Sequence, residues 1–265
     1  MKQWLPALLL LCAAAECRAA QELVTIPTRA GVTETYLLMR NPPSAVPKCV
    51  AIAFVGEPGV VGLAGKQVPV GFGPRANTLL RMRNDLVDAE VAEVAVDAPS
   101  DRLPDGISDE FRLGPDHAAD IRAVIVDVKK RFPDAKIFLV GHSRGTVSAA
   151  ALAATLGDSV QGVVLMSSAT NRDKHGPALS GFNFASIKIP VLLVHHHDDG
   201  CYTNPYYNVE RLSKSFTLVT VTGGDPPQSG PCDPQSAHGL FGQDAAVAQA
   251  IKNWMLGRDF PREIH

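Results

Sequence analysis

The sequence has no run of lysine and arginine dense enough to follow a polyanion, and its formal net charge is −2 over 265 residues. Nucleic-acid phosphates demand clustered cations, so DNA and RNA are excluded as expected partners. An apolar stretch of the roughly 20 residues that a helix needs to cross a bilayer is also missing. The nearest approach, Trp4 to Ala15, is too short. There is no internal repeat and no low-complexity tract, which removes solenoids and fibrous arrays. Cysteine is scarce, with five in the chain.

What remains is 46% hydrophobic residues in a length that suits one large α/β domain with a well-buried core. The first residues have the layout of a secretory signal: Lys2 as a short positive region, the apolar stretch to Ala15, and Cys17-Arg18-Ala19 as a small-x-small site. Cleavage after Ala19 divides the chain into a signal peptide, 1–19, and a mature domain, 20–265. No stable membrane span is left after cleavage, and the location is exported, periplasmic or secreted. Leu11 and Glu16 are bulky and charged where a lipoprotein signal wants small residues.

Export alters how the cysteines read. Cys12 and Cys17 leave with the signal, and the mature chain keeps Cys49, Cys201 and Cys232. Cys201 and Cys232 lie in polar loops, whereas Cys49 opens an apolar strand as a small buried hydrophobe. An oxidising compartment therefore predicts a Cys201–Cys232 disulfide.

Two β-rich runs, Glu22 to Thr28 and Thr33 to Arg40, suit an antiparallel N-terminal hairpin at a sheet edge. Cys49 to Val55 is continuously apolar, as a strand covered on both faces must be. Helical spacing over Arg75 to Val87 precedes a strand at Val91 to Val96. Ala118 to Phe132 is amphipathic, with Ile121, Val124, Ile125 and Val128 on one face and Pro115 suited to its first turn. Further strands are expected at Gly162 to Met166, Pro190 to Val194 and Phe216 to Val221, with a closing helix at Ala245 to Met255. The alternation implies a doubly wound, mostly parallel sheet with its ligand site at the carboxyl ends of the strands.

Chemistry concentrates at Gly141-His142-Ser143-Arg144-Gly145, which follows the apolar strand Lys136 to Val140 and opens an Ala-rich helix. Small residues at 141 and 145 let strand and helix approach while the serine takes a strained backbone and exposes its hydroxyl. The helix N-terminus then aims N–H groups at the same point. With an acid after a later strand and a histidine near the end, this resembles the α/β-hydrolase family. That resemblance implies the chain order nucleophile, acid, histidine.

The strand Val191 to Val194 runs into His195-His196-His197-Asp198-Asp199-Gly200, where the family shows His-Gly-x-x-Asp. Matching His195 to that histidine places the acid at Asp199, with Asp198 one residue away as the alternative; His196 stands where the family has glycine. His238, between the last strand and the final helix, is the expected base. His142 beside the nucleophile shapes the pocket or packs. Arg144 N–H is the expected first oxyanion donor and Glu57 N–H the second, because Pro58 has none and Val55-Gly56 stands where relatives often carry His-Gly. Successive side chains leaving a strand point to opposite faces, so the three histidines 195–197 form no metal site.

The resemblance implies an α/β-hydrolase fold acting through Ser143, His238 and Asp199 on a small-molecule or exposed ester substrate, without cofactor. Between Ser167 and Ile189 stand about twenty residues, too few for a large lid domain. A carboxylesterase is the expected activity. Peptidase, thioesterase and acyltransferase chemistry on the same triad, or a non-catalytic binding protein of this fold, are the alternatives, and oligomeric state is not written in the sequence.

Overall fold

The structure is a computed structural model that describes residues 19–63 and 77–265. The expected signal segment falls outside the described residues up to residue 18, as do the first two residues of the helix expected from Arg75. Strands β1 (Ala20–Arg29) and β2 (Val32–Arg40) form the antiparallel hairpin, turning at Gly31 with φ +71°. β2 joins β4 (Val91–Val96) antiparallel; from there β3 (Cys49–Phe54), β5 (Lys136–His142), β6 (Gly162–Met166), β7 (Val191–His196) and β8 (Thr217–Val221) run parallel. The two-residue β9 (Glu263–Ile264) closes the order β1-β2-β4-β3-β5-β6-β7-β8-β9.

Both faces of the sheet are covered, which is why its central strands read as unbroken apolar runs. Along β3, Val50, Ile52 and Phe54 enter one core with Ile121, Val124 and Val128 of α3 (Pro115–Arg131) and Val147, Ala149 and Leu152 of α4 (Gly145–Thr155). The alternate residues Cys49, Ala51 and Ala53 enter the other, with Leu79 and Met82 of α1 (Thr78–Leu86) and Ile251 and Met255 of α6 (Asp244–Leu256). Burying each of these larger aliphatic side chains contributes about 1.5–3 kcal/mol.

Three elements have no periodic signal in the sequence: α2 (Asp109–Leu113), α5 (Tyr206–Leu212) and β9. The first two are short, and α5 buries only Val209. Near the C-terminus Glu263 and Ile264 add to the sheet edge, with Thr222 N–H donating to the Ile264 carbonyl at 2.8 Å. α3 begins at Pro115, three residues before the apolar stripe suggests, and Ser108 caps α2 through its hydroxyl at 3.2 Å from Phe111 N. Between β6 and β7 the chain makes loops and one three-residue 3-10 turn, Phe184–Ser186, with no inserted helical domain.

Candidate active site

The turn after β5 places Ser143 at φ +55°, in the left-handed region that costs a non-glycine residue about 1–3 kcal/mol. Close packing sustains it. A Cβ on Gly145 would strike the Phe54 carbonyl, and one on Gly141 would meet the Gly145 carbonyl at 2.5 Å. Ser143 N–H donates to the Met166 carbonyl at 3.0 Å, and the Ser143 carbonyl accepts from Thr146 N–H at 2.9 Å and its hydroxyl at 2.6 Å. These contacts crowd strand, turn and helix so tightly that only the serine side chain is left partly open to the cleft.

Asp199 and His238 converge from separate loops. The His238 Nδ1–H donates to Asp199 Oδ2 at 2.9 Å, while the other oxygen of that carboxylate accepts the Cys201 N–H at 2.9 Å. His195 lies against the same acid with Nε2 3.3 Å from Oδ2; its Nδ1 accepts from Ser168 N–H, so Nε2 carries the proton and also reaches the Asn204 carbonyl at 2.9 Å. Burial pushes the Asp199 carboxyl up, but the hydrogen bonds from His195 and His238 and the charge those rings can carry outweigh it. The group is held far below the usual carboxylate range.

Asp198 faces the other way: its side chain is 70% exposed and pairs with His197 Nδ1 at 2.7 Å. His196 bonds the Gly223 carbonyl at 3.0 Å. The three successive histidines thus serve three different partners.

His238 sits buried in the 3-10 turn Ala237–Gly239. Its carbonyl accepts from His142 Nε2–H at 3.1 Å and from the Ser167 hydroxyl at 2.7 Å. Burial, with the neighbouring His238, pushes His142 down to about 3, so it stays neutral and acts as a fixed donor to the His238 carbonyl. With Nδ1 occupied by Asp199, His238 Nε2 is buried and meets no hydrogen-bonding group among the described residues. Cys201 and Cys232 are joined, with Cα atoms 4.6 Å apart, and the bond ties the Asp199 loop to the His238 loop; Cys49 is free and buried.

Ser143 and His238 share a cavity of about 560 Å³ with Gly56, Glu57, Arg144 and Tyr202. The backbone N–H groups of Arg144 and Glu57 find no acceptor among the described residues. The sequence gives no hint of the use made of the Arg144 side chain. It is 5% exposed, hydrogen-bonds Asp109 at 2.6 Å and, closely, Asp173, and forms an ion pair with Glu57 at 2.9 Å. Burial acts against its charge, but the bonds to Asp109 and Asp173 outweigh that and raise its pKa. Its partners come from three distant segments, so only the presence of a charge within the elbow could have signalled the cluster.

A parallel sheet with this elbow at the carboxyl end of a central strand, and an acid and a histidine supplied by later loops, defines the α/β-hydrolase architecture. A model of the alpha/beta hydrolase fold matches residues 97–188, from the end of β4 through the elbow to the loop before β7. Among solved structures, Est1E from Butyrivibrio proteoclasticus is 17% identical with a TM-score of 0.59 over 89% of this chain and 98% of that one. Dienelactone hydrolase from Anabaena variabilis is 16% identical with a TM-score of 0.60, covering 91% and 98%. A serine hydrolase without lid from Xanthomonas campestris is 16% identical with a TM-score of 0.58, covering 88% and 94%. No curated protein matches the sequence. The chain has the α/β-hydrolase fold, and among the described residues no lid domain is inserted between β6 and β7.

Proposed function

We propose that the protein is an exported serine hydrolase, a carboxylesterase, in which residues 20–265 form one domain after loss of the signal 1–19. The observation that carries this reading is His238: Nδ1 bound to a buried, ionised Asp199 and Nε2 left without a partner in the cleft that also holds Ser143. A ring bonded in that way keeps Nε2 available to accept a proton.

In the proposed reaction Ser143 Oγ attacks the ester carbonyl carbon as its proton passes to His238 Nε2. The carbonyl π electrons move onto oxygen, which the N–H groups of Arg144 and Glu57 receive. Such donors contribute about 2.7–4 kcal/mol each to the barrier reduction. Collapse re-forms the carbonyl and expels the alcohol with the proton returned by His238. Water, losing a proton to His238, then attacks the acyl-enzyme carbonyl; collapse breaks the bond to Ser143 Oγ, His238 returns the proton to that oxygen, and the carboxylic acid leaves. Asp199 remains charged throughout, holding the ring's tautomer and balancing the imidazolium.

The disulfide supports the exported location, since such bonds persist in oxidising compartments. The name of dienelactone hydrolase, which this chain resembles in fold, favours esters over amides. The test is turnover of aryl and alkyl esters, thioesters and anilides of graded acyl length by purified 20–265. Ester cleavage that Ser143→Ala lowers at least a thousandfold, with Tm unchanged, is expected; anilides turned over faster than matched esters, or an active Ser143→Ala, contradict it.

A further inference from the structure

The turn Gly56–Gly59 is held by two buried arginines whose side chains the reaction as drawn does not use. The Gly56 carbonyl accepts from Gly59 N–H at 2.6 Å and from Arg112 Nη2 at 3.4 Å, while Arg112 Nη1 bonds the Ser148 hydroxyl of α4 at 2.9 Å. A trans peptide is planar, with its C=O and N–H opposed. Fixing the Gly56 carbonyl against Arg112 therefore fixes the Glu57 N–H in the opposite direction, away from those donors. The turn also lies on the nucleophile: a Cβ at Gly56 would stand 3.2 Å from Ser143 Cβ and 3.5 Å from Ser143 Oγ.

The Glu57 side chain reaches back to the elbow, where its carboxylate forms an ion pair with the Arg144 guanidinium, 2.9 Å from Nε. Arg144 itself cannot swing, because Asp109 and Asp173 hold its two terminal nitrogens and Asp109 is pinned by Ala178 N–H at 2.7 Å. One residue thus offers a backbone N–H beside the nucleophile and, through its side chain, restrains the residue that offers the other.

We propose that the Arg144 side chain is a positioning residue: its ion pair with Glu57, together with the Arg112 bond to the Gly56 carbonyl, presets the Glu57 and Arg144 N–H groups as one oxyanion site. The proposal rests on the serine-hydrolase reading above. Preset donors act on charge that develops in the transition state and leave ground-state binding of substrate nearly untouched. Loosening the clamp should therefore lower kcat and weaken tetrahedral inhibitors in parallel, while KM stays in place.

Glu57→Ala is the direct test. Glu57 is 40% exposed, and its loss leaves Arg144 paired with Asp109 and Asp173, so folding is retained. The expected result is a fall in kcat on the order of 10- to 100-fold, with an equal loss of affinity for an alkyl boronate and KM within about twofold. Glu57→Asp keeps a carboxylate to pair with the Arg144 guanidinium and should recover part of the loss. Arg144→Met, if it folds, should show the larger effect of the same kind. Wild-type kcat in Glu57→Ala, equal damage in Glu57→Asp, or a change confined to KM overturns the proposal. Labelling of Ser143 by a fluorophosphonate is measured on the same preparations. A wild-type protein that neither labels nor turns over esters refutes the hydrolase reading itself, whereas labelled, active variants with unaltered kcat refute only the clamp.

Discussion

Breaking the Cys201–Cys232 bond perturbs stability and chemistry through one covalent link. The cysteines stand 31 residues apart, and chain-entropy reasoning for a loop of that length gives about 3.7 kcal/mol of stabilisation through the unfolded chain. For a protein of this size each kcal/mol moves Tm by about 2–4 °C, so a drop of about 7–15 °C is expected. The local effect adds to this. Cys201 N–H holds one oxygen of Asp199, and Cys232 lies in an exposed stretch leading to His238. That stretch is rich in glycine and proline and is pinned mainly by hydrogen bonds such as Gln228 N–H to the Gln235 carbonyl at 2.8 Å. With the bond open, the acid and base loops drift independently and kcat should fall at least several-fold. The assay compares Tm and ester turnover before and after mild reduction, with thiol titration verifying the change, and repeats both in a Cys201→Ser/Cys232→Ser double variant. Equal Tm and kcat in the oxidised and fully reduced protein would refute the reasoning.

Asp199→Asn should reduce kcat by about 10⁴-fold while Asp198→Asn, remote from the ring, changes it less than twofold; a reversed order in steady-state kinetics would reassign the acid. Because Asp199 stays ionised well into acid, the acid limb of kcat/KM should follow imidazole protonation, and a flat profile from neutral to mildly acidic pH with chemistry rate-limiting would count against His238. Glu93, buried on β4, is pushed up to about 8 by desolvation, with Arg83 only partly opposing. Its folded-state value exceeds the unfolded one, so stability is full below about pH 4.5 and is lost as pH rises through about 8, by a few kcal/mol. Denaturant midpoints should fall across that window and fall less in Glu93→Gln; identical pH profiles would remove Glu93 as the cause.

The sheet was legible where burial on both faces makes periodicity unnecessary: β3, β5 and β6 read as apolar runs because both faces meet helices. The elbow was legible because its glycines answer a steric demand, seen in the clash that a Cβ at 145 would make with Phe54. The sequence favoured Asp199 through its match to the family's acid and kept Asp198, one residue away, as the alternative. They separate only once the β7 exit turns one carboxylate inward to His238 and leaves the other to His197 and solvent. β9 and α5 were illegible for want of length, and the Arg144 cluster because Glu57, Asp109 and Asp173 carry no mutual spacing that a linear reading can weigh.

The central claim is that Ser143 is a nucleophile activated by His238. Incubating the folded mature protein with a fluorophosphonate and locating the adduct by peptide mass mapping tests it most directly. A single phosphonylated residue, Ser143, with labelling lost in Ser143→Ala and slowed at least a hundredfold in His238→Ala, is the predicted result. A folded protein that takes no label, or takes it at another serine, contradicts the account.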